Sequence, residues 1–292
     1  MVVSKVLRGR ASPVRCGTLQ TRLGRCRLRQ ARNRTGSAIV EWMMPVGKSW
    51  GPGAYKSAQQ WRKRTILDAP DRRCGSCVAG GPFGGMRYLD QAVGSAIAPK
   101  LVGSYEAELH SIFLNIPRGD YSAVIDIGCA EGYYAVGLAR LLPGVPVFAY
   151  ETDPRAQALC REMAMINDAQ DQVHIAGTLG RPELLPRAGQ RIFLICDCEG
   201  YEMDLFDEQV AHALSRSDVI VETHDMYRAG CTEKLLAVFA ATHQCSVLTP
   251  QRRKWARFPA ARAVPLVIRK FAFDEWRHPM QRWIWGKARA TA

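Results

Sequence analysis

The chain has 292 residues, 47% of them hydrophobic, with 40 Lys+Arg against 27 Asp+Glu and a net charge of +13. It holds no run of 18 apolar residues and no secretory h-region, which excludes a membrane span of the helical kind. The 10 cysteines form no paired framework, which excludes a disulfide scaffold and points to a reducing cytoplasm.

An excess of positive charge ordinarily suggests a nucleic-acid partner, but its distribution denies this to most of the chain. Residues 1–85 carry 17 basic and 3 acidic side chains, while the remainder carries 23 basic and 24 acidic ones. No acid precedes Glu41, arginines crowd the start, and Gly, Pro and Ser are scattered through 49–85. The composition predicts a largely disordered basic extension over 1–85 and a folded domain over 86–292. The arm could bind RNA, address an organelle or be a dispensable tail, and the last reading is favoured. Cys74-Gly-Ser-Cys77 has no second pair at zinc-site spacing, so no zinc is expected there.

Leu109, Ile112, Phe113 and Ile116 then give one helix face behind an N-cap at Ser104. Val124-Ile-Asp-Ile127 suits a strand buried on both faces and breaks into Gly128-Cys-Ala-Glu-Gly132. Ala135, Leu138, Ala139 and Leu142 place a helix directly after that turn, its positive end aimed at whatever sits over it. A second strand, Val147–Tyr150, ends in Glu151, whose two oxygens can accept from both hydroxyls of a ribose. Such a strand, turn, helix and acidic strand end are what holding a nucleoside requires. A dinucleotide fingerprint in the frame of Gly128 needs glycine at 130 and 133, where Ala130 and Tyr133 stand instead. S-adenosylmethionine has no pyrophosphate and tolerates the looser turn, with Asp126 and Glu131 near its charged amino-acid end. It is favoured over NAD.

Asp153-Pro154 starts the next helix, whose apolar face runs through Ala156, Leu159, Cys160, Met163 and Ile166. Strands follow over 172–176, 191–196 and 218–222, with a helix over 202–214 between the last two. Strands alternating with amphipathic helices predict a doubly wound α/β sheet with parallel pairing. In such sheets the ligand lies beyond the carboxyl ends of the strands. There the fourth strand runs into Asp197-Cys-Glu199-Gly-Tyr-Glu202 and the fifth into Glu222-Thr-His224-Asp225. Asp197, Glu199 and His224 are read as functional, Glu202 and Asp225 as helix caps and loop. Arg252, Arg253, Lys254 and Arg257 around Trp255 are read as a solvated charged loop.

Ile-Asp-Ile-Gly-Cys-Ala-Glu-Gly at 125–132, Cys-Asp-Cys-Glu-Gly-Tyr-Glu at 196–202 and Val-Glu-Thr-His-Asp at 221–225 resemble the FkbM-type methyltransferases, a branch of the class I S-adenosylmethionine-dependent enzymes. The resemblance spans about 100–286 and departs at Ala130, where many class I enzymes have glycine. It implies a Rossmann-like sheet of seven strands with the last antiparallel, for which 245–248 and 282–285 suit strands six and seven, the latter inserted between five and six. It implies O-methylation of a hydroxyl on a sugar, polyketide or related small molecule. It also places Tyr105 and Glu106 where related enzymes lay a helix over the cofactor.

The expected cofactor set is Asp126, Gly128, Ala130, Glu131, Gly132, Glu151, Asp197 and Tyr105. His224 is the first candidate base, because an imidazole titrates near neutral pH, with Asp197 or Glu199 orienting it or taking the proton. A divalent metal on Asp197, Glu199, Glu222 and His224 is the alternative to a favoured metal-free route. An NAD(P)-dependent oxidoreductase and an RNA-directed methyltransferase using the basic arm are the competing functions. The acceptor's identity and the oligomeric state are not legible.

Overall fold

The apolar runs become strands of a single sheet in the computed structural model, which describes residues 77–251, 253–258, 273–275, 277 and 281–289. In chain order, α1 (Ile97–Val102) and α2 (His110–Phe113) precede β1 (Ala123–Ile127), α3 (Tyr133–Leu141), β2 (Val147–Tyr150), α4 (Pro154–Ile166) and β3 (Val173–Ala176). Then come α5 (Arg181–Leu184), β4 (Ile192–Cys196), α6 (Glu202–Leu205), α7 (Glu208–Ala213), β5 (Asp218–His224), α8 (Cys231–Phe239), β6 (His243–Leu248) and β7 (Gln281–Ala288). The strand order is β3-β2-β1-β4-β5-β7-β6. β1 to β5 pair in parallel, and β7 runs antiparallel between β5 and β6. This is the doubly wound sheet that the alternation of strands and helices predicts, with the seven strands and antiparallel last strand that the resemblance implies.

Strand side chains alternate between the two sheet faces, so a sheet covered on both needs apolar residues at every position. Val124, Phe193 and Ile195 join a core with α3, α4 and the segment 78–116. Ile125, Ile127, Ile192, Leu194 and Cys196 join the opposite core with Phe206, Val210, Leu235 and Phe239. β1 has β2 on one side and β4 on the other, and this reversal of winding opens a crevice at their carboxyl ends. No helix among the described residues is long and apolar enough to cross a membrane.

Several expected boundaries move. Residues 1–76 of the basic extension lie outside the described residues, but 77–85 belong to the folded body. Val78 and Phe83 are buried, Cys77 bridges Arg87, and the Phe83 ring packs edge-on against Tyr133 at 5.1 Å between centroids. The helix expected over 202–214 is broken, because Phe206 is extended and the Asp207 carboxylate caps a fresh start by accepting from Val210 N. Ser104 caps no helix: it follows Gly103, the left-handed C-cap of α1, and α2 begins only at His110. Arg253 is no solvated loop residue, since its guanidinium is buried between Glu108 and Glu275. Arg252 lies outside the described residues.

Candidate active site

The crevice is set by contacts of main chain with main chain. Gly128 leaves β1 at φ +82°, and a Cβ there would stand 1.8 Å from the Asp197 carbonyl oxygen, so only glycine lets the turns after β1 and β4 touch. Asp197 N donates to Ile127 O at 2.8 Å, and Gly128 N donates to Tyr150 O at 2.8 Å, joining the ends of β1, β2 and β4. Ala130 holds a left-handed φ of 47°. Its N–H donates to Glu151 Oε2 at 2.9 Å while Asp153 N and the Thr152 hydroxyl donate to Oε1 at 2.8 and 3.5 Å, which fixes the carboxylate and leaves Oε2 a further lone pair.

A cavity of about 720 Å³ lies over these turns. Gly128, Ala130, Glu151, Asp197, Glu199 and Tyr105 of the expected set are on its wall. Asp126, Glu131 and Gly132 are not among its lining residues. Gly132 is needed for packing instead: a Cβ there would meet Cys160 Sγ at 2.8 Å. Glu131 is buried in an ion pair, 2.6 Å from Lys100 Nζ, and also accepts from Tyr88 Oη and from Val93 N at 2.9 Å. Its role is to hold Lys100, which does line the cavity, with Nζ 4.9 Å from the Tyr105 ring centroid and 5.1 Å from that of Tyr133. Asp126 is 2% exposed, and burial, reinforced by the charge of Asp197, pushes its pKa up to about 8.

The ends of β4 and β5 bring the other expected residues together. His224 is fully buried behind the wall rather than on it. Its Nδ1 is 3.0 Å from Glu202 Oε1, and its Nε2 is 3.5 Å from Asp197 Oδ1, 3.5 Å from Glu199 Oε2 and 3.6 Å from Glu222 Oε2. Burial pulls the imidazole pKa down, but the Glu202 hydrogen bond and the charges of Asp197, Glu202 and Glu199 outweigh it and hold it above the ordinary value. Loss of solvent raises the Asp197 pKa, with His224 opposing, and burial and the Asp197 charge raise that of Glu199.

Glu202 is therefore more than a cap. It accepts from Cys198 N and Gly200 N at 2.9 and 2.8 Å while gripping His224, and its place in the Asp-x-Glu-Gly-x-Glu element was the signal for it. Asp225 does act as a cap, accepting from Thr232 N at 3.2 Å. Glu275 and Arg277 also line the cavity, and no motif pointed to them. Arg277 pairs with Glu222 and Glu106 and lies 5.7 Å from the Trp283 ring centroid.

No protein-family model matches the chain, and no curated protein matches it. Among solved structures it is similar to a precorrin-6y C5,15-methyltransferase from Geobacter metallireducens, at 14% identity over 69% of this chain and 92% of that one, with a TM-score of 0.45. It is similar to an O-methyltransferase from Bacillus cereus in complex with SAH at 12% identity over 87% and 97% of the two chains, TM-score 0.44. A methyltransferase FkbM from Methylobacillus flagellatus matches at 12% identity over 57% of this chain and 44% of that one, TM-score 0.37.

Proposed function

We propose that the chain is an S-adenosylmethionine-dependent methyltransferase that O-methylates a hydroxyl of a sugar, polyketide or related small molecule. The observation that carries this reading is the pairing of Glu151, fixed on the cavity wall at the end of β2, with Tyr133, whose buried ring lines the cavity where a dinucleotide turn would need glycine. A carboxylate placed for ribose hydroxyls suits any nucleoside, whereas a tyrosine at the start of α3 leaves no bare backbone for a pyrophosphate. The donor set fits the rest of the cofactor. Lys100 would hold the carboxylate of its amino-acid end, Glu151 its ribose, and the Tyr105 and Tyr133 rings would flank its positive sulfur.

When bound, that cofactor supplies a methyl group already activated by positive sulfur. The protein then has mainly to orient an acceptor oxygen and receive its proton, and orientation in well-arranged systems is worth up to about 7–11 kcal/mol. Asp197 and Glu199 present carboxylate oxygens on the wall to receive that proton, with His224 in reach behind them. Tyr201 and Tyr227, 40% and 62% exposed, line the mouth and offer ring faces against which a sugar or polyketide can lie.

Calorimetry with S-adenosylhomocysteine and with NADP separates this reading from an oxidoreductase. The first is expected to bind and the second not; the reverse pattern overturns the proposal. Glu151→Ala should weaken binding of S-adenosylhomocysteine by about 1–3 kcal/mol, the range for lost hydrogen bonds to a charged group.

A further inference from the structure

The residues that line the cavity include five carboxylates, Glu151, Asp197, Glu199, Glu222 and Glu275, and two cations, Lys100 and Arg277. Both cations are already matched. Lys100 is 2.6 Å from buried Glu131, and Arg277 is shared by Glu106 and Glu222. Glu275 has its own arginine, Arg253, at 2.6 Å, and Glu151 is held by backbone N–H groups at the ribose end. Asp197 and Glu199 are left over. Among the described residues neither pairs with a lysine or an arginine, and the basic group they face is His224.

His224 does not cancel them. Its Nδ1 stands 3.0 Å from Glu202 Oε1, so a positive charge on the ring is matched there first. Its Nε2 is buried without a hydrogen-bond partner, 3.5 Å from both Asp197 Oδ1 and Glu199 Oε2. Burial raises the pKa of both carboxyls, and the charge of Asp197 adds to the rise at Glu199. S-adenosylmethionine brings a single net positive charge, its sulfonium, and S-adenosylhomocysteine brings none. The turn after β4 therefore presents negative charge that neither the protein nor the spent cofactor offsets.

The same stretch of wall is aromatic. Tyr201 and Tyr227 line it, 40% and 62% exposed, and the Tyr227 ring stacks on the imidazole of His224 at 5.8 Å and 11°. A Cβ on Gly200 would stand 3.6 Å from that of Tyr227, so the residue after Glu199 touches the base of this tyrosine. Glu199 itself is held at a left-handed φ of 56°, and the Glu202 carboxylate pins both its neighbours by accepting from Cys198 N and Gly200 N at 2.9 and 2.8 Å. An aimed carboxylate beside an exposed ring face is what an ammonium group requires, since the ring attracts the cation and the carboxylate accepts its N–H groups.

We infer that the acceptor carries an ammonium group as well as its hydroxyl, as an amino sugar does, with Glu199 and the Tyr227 ring holding the ammonium and Asp197 receiving the hydroxyl proton. The Glu199 side chain is 63% exposed and that of Asp197 28%, so the outer carboxylate meets the charged group and the inner one, beside His224, meets the reacting oxygen. An acidic acceptor such as a uronic acid is repelled, because Lys100 and Arg277 are committed elsewhere. The hydroxyl's role rests on the methyl-transfer reading; the preference for positive charge does not.

The test is a nuclear magnetic resonance titration of the full chain, with and without saturating S-adenosylhomocysteine, using 6-amino-6-deoxyglucose, glucose and glucuronate. These sugars differ at one carbon, which carries an ammonium, a hydroxyl or a carboxylate. The amine is expected to bind at least about tenfold more tightly than glucose, and glucuronate more weakly than glucose, as hydrogen bonds between charged groups imply. Glu199→Gln keeps the shape and removes the charge, and should bring the amine to within about threefold of glucose. Its affinity for S-adenosylhomocysteine should match the wild type, which also shows that the variant folds. No binding of the amine, equal affinity for amine and glucose, or a preference that survives Glu199→Gln overturns the inference. Binding of S-adenosylhomocysteine without the preference overturns the acceptor's charge alone. The preference without binding of S-adenosylhomocysteine overturns the methyl-transfer reading alone.

Discussion

Asp126 carries a cost that the sheet imposes on one residue. It lies next to the carboxyl end of β1, buried, with Oδ2 unpartnered and its pKa pushed to about 8 by burial and then by the charge of Asp197. The unfolded chain ionises this carboxyl near pH 3.9, so between about pH 4 and 8 the folded state binds the extra proton. Its contribution to stability is therefore complete below about pH 4 and is lost as pH rises towards 8, by up to about 1.4 kcal/mol per pH unit. Asp126→Asn should remove that slope: its urea midpoint is expected to match the wild type near pH 4 and to exceed it at pH 8. Parallel stability profiles for the two proteins would remove the proton from the account. The sequence places Asp126 correctly in a strand and Glu151 correctly at a strand end. What it does not disclose is that Glu131 spends its charge on Lys100, because nothing in local spacing tells that α1 folds back over the turn.

Elements were legible where periodicity and punctuation agree. β1, β2 and the helix begun by Asp153-Pro154 stand where apolar runs and N-caps point, and β7 stands beside β5 as the family resemblance implies. The failures share a cause: a tertiary partner overrides a weak local signal. Asp207 has an N-cap's chemistry but was read through as helix, and 77–85, rich in glycine, was read as part of the arm. In that segment Gly85 N donates to Val78 O and Val78 N to Met86 O, both at 2.8 Å, a tight turn that presents Phe83 to the core. Phe83 meets Phe113 at 5.3 Å as well as Tyr133, and a Cβ on Gly137 would sit 2.6 Å from its ring. The glycine in α3 is thus the space this ring occupies. Phe83→Ala should cost about 3–5 kcal/mol, the range for emptying a core aromatic site. It should also weaken S-adenosylhomocysteine binding, because Tyr133 loses its neighbour; a loss below about 1 kcal/mol in chemical denaturation would return 77–85 to the extension. Glu275 and Arg277 stayed invisible for a different reason, since the prolines between β6 and β7 leave no period to read.

At the scale of the molecule, charge and site separate cleanly. Residues 1–76, outside the described part, contain all 17 of the basic residues counted in the arm, and the rest of the chain is close to neutral. The cavity draws its wall from distant parts of that remainder: 93–105, the turns after β1, β2 and β4, and the start of β7. No single element holds the site, so a ligand bound there must stabilise the assembled sheet rather than one loop. A ligand at about 100 times its dissociation constant adds about 2.7 kcal/mol to the folded state. For a body of this size, each kcal/mol raises Tm by about 2–4 °C. S-adenosylhomocysteine should therefore raise Tm by about 5–11 °C, and amide exchange should slow together in 93–95, 128–132 and 197–200, segments from different parts of the chain that meet around the cavity. Protection confined to 128–132 would mean that the ligand touches the glycine turn without bridging the strands, and the cavity would then be no cofactor site.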